Sequence, residues 1–217
     1  SNSDAHAYLS ICCMWELTQR ITKDPEKKID EIMEHGRKAE SLNPENPVAL
    51  TGISTAYFFR GEHLTALNYA QRAVRFNPSY AFSLSWLALA QVHSGDFQKG
   101  EQSILKGIEL SPADPDLNHF HGTLYFALLG QGRYDEALET IDKALHQHKQ
   151  GLMLGFRAAV MGYLERGMEA KEALDQYLAL RPNLKAREDY RRIFVPNSAL
   201  ADPIIEGLVK AGWKPET

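Results

Sequence analysis

Histidine and cysteine are the side chains of this protein that could ligate a metal ion or act as nucleophiles. His119 and His121 are two residues apart, as are His146 and His148. In a helix this spacing directs the two rings to different faces, whereas a shared metal ion favours a spacing of three or four residues. We therefore expect packing or surface histidines and no metal site.

The only two cysteines, Cys12 and Cys13, are neighbours in the sequence. Inside a helical pattern their side chains diverge and cannot form a disulfide without distorting the backbone. Unpaired thiols fit a reducing, cytoplasmic setting. A vicinal thiol sensor is the alternative, but no sequence neighbour would lower a thiol pKa.

The densest group of basic side chains could contact an anionic partner. It comprises Arg181, Lys185, Arg187, Arg191 and Arg192. Glu188 and Asp189 interrupt this group, and a nucleic-acid site would need more unopposed charge and exposed stacking residues. The net charge of −4 points the same way. We expect a polar helix face that binds neither nucleic acid nor a membrane.

Sequence motifs for catalysis are missing. The chain has no glycine-rich phosphate loop, no Gly-x-Ser-x-Gly elbow, no His-Glu-x-x-His and no set of cysteine ligands. We expect a non-enzymatic protein without a cofactor. No apolar run approaches the roughly 18 residues of a membrane span. The chain opens at Ser1 without an initiator methionine or a visible signal peptide, which we interpret as a tag remnant on a piece of a longer protein.

The elements that must position any functional side chain follow from a repeated turn. Pro44, Pro78 and Pro112 close three similar turns at intervals of 34 residues. Pro182 closes a fourth turn 70 residues further on, which is two periods plus two inserted residues. A period of about 34 residues is that of the helix-turn-helix tetratricopeptide repeat, or TPR. The spacing therefore predicts a helical solenoid.

The residues between these turns resemble the TPR family in detail. Its pattern of large, small and aromatic positions is matched in order by Leu50, Ile53, Ser54, Tyr57, Gly61, Ala66, Ala70, Ala73 and Pro78. The next unit matches at Leu84, Leu87, Ala88, Gly95, Gly100, Ile104, Gly107 and Pro112. Small residues at such positions let two helices cross closely. The resemblance implies an all-α fold, a right-handed TPR-type solenoid of antiparallel helix pairs.

We expect a single domain spanning residues 1–217. Its helix pairs should cover residues of about 4–44, 47–78, 81–112, 115–148 and 151–182, with a C-terminal cap at 184–213. The alternative for the last helix is a docking helix for a partner domain. The third unit contains three extra residues, either at 112–115 or near 128–130, and the sequence leaves both placements open. The fourth unit has Glu165 and Arg166 at its turn and is a weaker match.

The end of the chain supports a narrower resemblance. Residues 206–216 look like the tail of TPR regions at the C-termini of bacterial adenylate or guanylate cyclases and of some winged-helix regulators. Tyr8, Leu9 and residues 24–26 are similar to the start of those regions. The resemblance implies a sensory or assembly region whose catalytic or DNA-binding domain lies outside this sequence.

In three of the five predicted pairs the first helix is unusual because it lacks charge. Residues 47–59, 81–93 and 117–130 contain no Asp, Glu, Lys or Arg. In the family these helices line the concave groove, and the basic residues that clamp a peptide carboxylate there are missing. The groove should instead present uncharged and aromatic side chains, namely Thr51, Thr55, Phe58, Phe59, Phe82, Ser85, Leu89, His93, His119, Phe126 and Tyr163.

Such a surface predicts a protein-interaction module. The partner would be a protein or peptide, another domain of the parent protein, or a second copy of the chain. The alternative function is homodimerisation within a bacterial nucleotide cyclase whose catalytic domain lies elsewhere.

Overall fold

The structure, a computed structural model, describes residues 2–19, 21–147, 151–191 and 196–216, without the side chains of residues 146 and 147. These residues form twelve α-helices and no β-strand, which confirms the predicted all-α class. The helices are α1 Ser3–Thr18, α2 Pro25–Leu42, α3 Pro47–Phe59, α4 His63–Phe76, α5 Ala81–His93, α6 Phe97–Leu110, α7 Leu117–Gly130, α8 Tyr134–Gln147, α9 Gly151–Tyr163, α10 Gly167–Ala179, α11 Arg187–Arg191 and α12 Ala201–Lys210.

The first ten helices form five antiparallel pairs. We call α1, α3, α5, α7 and α9 the inner helices and their partners α2, α4, α6, α8 and α10 the outer helices. Each inner helix packs against the outer helix that follows it, and α1, α3 and α5 also pack against the next inner helix. The outer helices keep a charged face, whereas α3, α5 and α7 are uncharged and mostly buried. Each pair thus buries its apolar side against its neighbours, as a solenoid requires.

Caps and left-handed turns set the helix boundaries. Asn46 caps α3, since its Oδ1 accepts the backbone N–H groups of Val48 and Ala49 at 3.0 and 3.2 Å. The turn after each of α3, α5 and α7 contains a glycine with positive φ: Gly61 (75°), Gly95 (88°) and Gly132 (73°). Glu165 takes the equivalent place after α9 with a φ of 55°. At this turn the fourth unit therefore differs from the others in residue type, while the turn residue keeps a positive φ.

The three extra residues of the third unit lie mostly in the loop before α7. Helices α3 and α5 begin three residues after Pro44 and Pro78, whereas α7 begins five residues after Pro112. Helix α7 is itself one residue longer than α5. The loop makes its own turns, because the backbone N–H of Leu117 donates to the carbonyl of Asp114 at 3.1 Å. Of the two placements that the sequence leaves open, the structure favours the one at residues 112–115.

The last helix packs tightly against α9. A Cβ atom built on Gly207 would lie 2.5 Å from the carbonyl oxygen of Ala159, and one on Gly162 would clash with the carbonyl oxygen of Gly207. The two backbones touch because both crossing positions are glycine. Beyond α12, Trp213 packs near Tyr190, with ring centroids 6.3 Å apart, and the N–H of Glu216 donates to the carbonyl of Lys185 at 2.8 Å.

Candidate functional site

The inner helices surround a cavity of about 250 Å³, which we call the apolar chamber. All five of them contribute to its wall. The lining residues are Leu17, Thr18, Phe58, Phe59, Trp86, Leu89, His93, His119, Gly122, Thr123, Phe126, Leu152, Met153 and Phe156. None of these side chains is acidic or carries the permanent charge of Lys or Arg, so the chamber favours apolar groups.

A second cavity of about 150 Å³, the polar chamber, adjoins the first. It lies between the C-terminal half of α1, the start of α5 and the start of α7. Its lining residues are Met14, Trp15, Thr18, Gln19, Phe82, Trp86, Asp116, Asn118, His119 and Met153. Because Thr18, Trp86, His119 and Met153 line both cavities, the chambers form one groove.

A continuous set of aromatic rings runs along the floor of the groove. The centroid of Phe58 lies 4.7 Å from that of His93 and 5.8 Å from that of Trp86. The ring of Phe126 lies 5.8 Å from His93 and 5.0 Å from Phe156. Most of these pairs meet edge to face, the geometry that aromatic quadrupoles favour. The floor is therefore formed by rings that pack directly against one another.

Several buried polar atoms of the groove have no partner among the described residues. They are Nε1 of Trp86, Oδ1 of Asn118, Nε2 of His119 and Nδ1 of His93. Trp86 and Asn118 are 3% and 9% exposed, so both are more than nine-tenths buried. A buried donor or acceptor without a partner costs about 1–3 kcal/mol. These atoms therefore favour a ligand that supplies the missing hydrogen bonds.

Asp116 brings a carboxyl group into the polar chamber. It occupies the N-cap position of α7 but makes no capping hydrogen bond, unlike the N-cap residues Asp24 and Asp96. Burial, aided by the nearby Asp114, raises the pKa of Asp116 to about 6. No basic side chain forms an ion pair with it in the part of the chain that the structure describes.

The histidines of the groove are neutral near pH 7. Burial lowers the pKa of His93 to about 3 and that of His119 to about 4. The pKa of His63, whose ring lies 5.6 Å from that of His93, is also lowered by burial. Neutral rings can face apolar or cationic groups without electrostatic repulsion.

The chain crosses one end of the groove at residues 196–200, which we call the crossing segment. The carbonyl oxygen of Pro196 lies 2.8 Å from Nε2 of His63, and the N–H of Ala199 donates to the carbonyl of His93 at 3.2 Å. Nδ2 of Asn197 donates to the carbonyl of Gly61 at 3.3 Å. The crossing segment thus covers the ends of α3 and α5. None of its residues lines either chamber.

Comparison with known proteins decides the fold. The structure matches TTC0263 of Thermus thermophilus, described as a thermophilic TPR protein, with a TM-score of 0.62 over 96% of this chain and 98% of that one, at 15% identity. The chain has the TPR fold. YrrB, described as a TPR protein with an unusual peptide-binding site, matches with a TM-score of 0.57 and 18% identity over 72% of this chain and 79% of that one.

Sequence relatives match only part of this chain. The small glutamine-rich tetratricopeptide repeat-containing protein 2 of Mycosarcoma maydis is 31% identical over 77 residues, which are 36% of this chain and 22% of that protein. The matched stretch thus spans about a fifth of that relative. No known family's sequence profile matches the chain. Within the described ranges no helix is both long and apolar enough to cross a membrane.

The TPR fold brings seven of the predicted groove residues together. Phe58, Phe59, Leu89, His93 and Phe126 line the apolar chamber, Phe82 lines the polar chamber, and His119 lines both. They come from three successive inner helices, as the position of these helices in the family implies.

Four predicted groove residues do not line the groove. Thr51, Thr55 and Ser85 are fully buried within the stack, and each hydroxyl donates to a carbonyl of its own helix. Tyr163 lies on the other side of α9, where its ring stacks on Tyr134 at 4.5 Å and its hydroxyl donates to the carbonyl of Pro203 at 2.7 Å. Tyr163 therefore joins α9 to α12. The sequence pattern did not predict that α12 packs on this side of α9.

Sequence reasoning missed the contributions of α1 and α9 to the groove, and it missed Trp86. Trp15 and Thr18 of α1 line the same chamber as Met153 of α9, because the winding of the solenoid brings α1 and α9 to one groove. No sequence signal gives that winding. Trp86, by contrast, is four residues after Phe82 and three before Leu89, so its helical spacing alone would have placed it with them.

The other candidate groups have local roles. Arg187 pairs with Glu206, and Arg191 pairs with Asp202 at 2.7 Å. Burial raises the pKa of the Cys13 thiol, and Cys12 is exposed. Among the described residues no group of three or more His, Cys, Asp or Glu side chains is arranged to hold a metal ion. His148 and Arg192 lie outside the described residues, as does the side chain of His146.

Proposed function

We propose that this chain is a protein-interaction module that binds a partner protein or peptide in the groove of its inner helices. The observation that carries the proposal is the apolar chamber, a preformed cavity lined by aromatic and aliphatic side chains from five helices. An apolar side chain that enters it would gain about 1.5–3 kcal/mol from burial. The proposal assigns no chemical step and no cofactor to the chain.

The fold of the neighbours supports this function. YrrB is described as having a peptide-binding site, and in solenoids the inner surface is the usual place for extended ligands. The lack of charge on α3, α5 and α7 distinguishes this groove from one that clamps a terminal carboxylate. Recognition would therefore rest on apolar anchors and on the few polar atoms of the polar chamber.

A pair of charge-introducing variants tests the proposal. Phe59→Glu places a carboxylate at the edge of the apolar chamber, where Phe59 is partly exposed. Met168→Glu makes the same kind of change at a side chain that is 89% exposed and lines neither chamber. Peptides selected from a displayed random library against the natural chain should lose binding to Phe59→Glu and keep it to Met168→Glu.

Equal binding of the selected peptides to both folded variants would contradict the groove as the binding site. Circular dichroism and thermal unfolding must first show that each variant keeps its helices. The selection could also yield no peptides that compete with one another for binding to the natural chain. That result would argue against the interaction function itself.

The cellular context is a second part of the proposal. The resemblance of residues 206–216 supports a parent bacterial nucleotide cyclase or winged-helix regulator in the cytoplasm.

Self-association is the second candidate function. The observation that favours it is α1, where the adjacent Tyr8 and Leu9 are 60% and 46% exposed. Light scattering over a range of concentrations tests it, because a strict monomer would contradict self-association. A dimer broken by Tyr8→Glu would support it.

A further inference from the structure

The polar chamber has features that the proposed function does not explain. It holds the carboxyl group of Asp116, which neither caps α7 nor pairs with a basic side chain of the described residues. Asn118 lines it too, and the Oδ1 atom of this side chain is a buried acceptor without a partner among the described residues. Both groups accept hydrogen bonds when Asp116 is ionised. Their missing partner is therefore a donor.

The aromatic side chains of the chamber show that this donor should be cationic. Trp15, Phe82 and Trp86 line the same cavity of about 150 Å³. Ring faces attract cations, most strongly when the rings belong to tryptophan. An anion would face Asp116, and a neutral apolar group would leave Asn118 without a hydrogen bond. His119, whose pKa burial lowers to about 4, is neutral near pH 7 and does not repel a cation.

The indole N–H of Trp86 indicates what kind of molecule carries the cationic group. Its Nε1 is a buried donor without a partner and needs an acceptor. A free metal ion or a simple amine has no acceptor to offer, whereas a basic residue of a peptide carries its own main-chain carbonyl. The adjoining apolar chamber has room for a neighbouring apolar side chain of the same peptide.

We propose that the polar chamber binds the side chain of a lysine or arginine in a peptide that lies in the groove. Its ammonium or guanidinium group donates to Asp116 and Asn118 and lies against the rings of Trp15 and Phe82. The main-chain carbonyl of the peptide accepts from Nε1 of Trp86. This inference rests on the proposed peptide-binding function and names the chemistry of the partner.

Indole N–H signals in nuclear magnetic resonance spectra of the ¹⁵N-labelled chain report on the chamber directly. Trp15 and Trp86 line it, while Trp213 packs near Tyr190 and serves as an internal control. The probes are N-acetyl-arginine amide and N-acetyl-lysine amide, with N-acetyl-citrulline amide as a neutral analogue of arginine. We expect saturable shifts of Trp86 and Trp15 with the two basic probes and none of Trp213.

Two matched variants identify the carboxylate. Asp116→Asn should weaken binding of the arginine probe by about tenfold, the usual effect of losing one hydrogen bond to a charged group. Asp135→Asn removes the same charge from an exposed residue of α8 and should leave the affinity unchanged. Equal affinities of the two variants, or equal shifts with the citrulline probe, would overturn the proposal.

A further probe separates a peptide from a small cation. Methylguanidine carries the charge of arginine but no carbonyl, so it should shift the Trp86 signal less than N-acetyl-arginine amide at equal concentration. Equal shifts would overturn the assignment to a peptide.

The outcomes also separate this inference from the proposed function. Selected peptides that bind in the groove without any lysine or arginine would overturn the inference while the interaction function stands. Binding of the arginine probe together with a failed peptide selection would support the chamber and argue against the function.

Discussion

The carbonyl oxygen of Pro196 lies 2.8 Å from Nε2 of His63, although the two residues are far apart in the sequence. A carbonyl can only accept, so Nε2 carries the proton and Nδ1 is the bare nitrogen in the neutral ring. This contact, with those of Asn197 and Ala199, fixes the crossing segment over the ends of α3 and α5.

Gly61 is the position at which the crossing segment can be released. A Cβ there would lie 2.8 Å from Pro196, and the φ of 75° lies in the left-handed region that strains alanine and most other residues with a Cβ. Gly132 has a φ of 73°, and a Cβ at this position would have no neighbouring atom within 4 Å. We expect Gly132→Ala to cost about 1 kcal/mol and Gly61→Ala about 2–3 kcal/mol, because overpacking adds to the strain. Urea unfolding measures both, and equal losses would show that the crossing segment contributes nothing.

The contact between α9 and α12 should be equally sensitive to one methyl group. Gly162→Ala would place its Cβ against the carbonyl of Gly207, so a backbone must move. We expect a loss of about 3 kcal/mol and faster hydrogen exchange in α12. Gly107→Ala is the control within a helix, because its nearest neighbour is at an ordinary 3.5 Å. It should be neutral or stabilising by up to about 1 kcal/mol. Similar values for both variants would contradict the close crossing.

Glu165 offers a stabilising substitution. It holds a φ of 55° in the turn where three earlier pairs use glycine. Because the left-handed region costs a residue with a Cβ about 1–2 kcal/mol, Glu165→Gly should raise stability by about 1 kcal/mol. Asn197 has a similar φ of 59°, but asparagine tolerates it and its side chain bonds Gly61. Asn197→Gly should therefore give no gain. Thermal unfolding compares the two, and a destabilised Glu165→Gly would refute the assignment of strain.

The free energy of unfolding should fall in mild acid. The pKa of His93 is about 3 in the folded chain because of burial, below the ordinary 6.5. The unfolded chain therefore binds the proton first, and stability present above pH 6.5 is lost as the pH falls toward 3. Asp116, whose pKa is raised to about 6, acts in the opposite direction between pH 6 and 4.

His93→Phe isolates this contribution because it keeps a ring between Phe58 and Phe126. From pH 7 to 5 the natural chain should lose about 2 kcal/mol more than the variant, since each pKa unit corresponds to about 1.4 kcal/mol. Urea unfolding at both pH values gives the difference. Identical pH dependence of the two proteins would show that His93 is not the group that titrates.

The sequence was sufficient where local chemistry decides the structure. Pro44 and Pro78 predicted the starts of α3 and α5, and Gly61 and Gly95 marked turns that require positive φ. It was insufficient where the packing of distant pairs decides. Tyr163 resembled a groove residue by its place in the repeat, but α12 covers that side of α9. Trp15 and Met153 line the same chamber because the whole stack brings α1 and α9 to one groove, which no single repeat encodes.

Thr18 of α1 and Met153 of α9 line both chambers, so the groove exists only while the first and the ninth helix are in place together. Solenoids unfold by steps between neighbours, and their ends can fray independently. A ligand that touches both helices would oppose fraying at either end, because binding favours the intact stack by mass action. Occupancy of the groove would thus make unfolding more cooperative, turning a series of partial transitions into a single one.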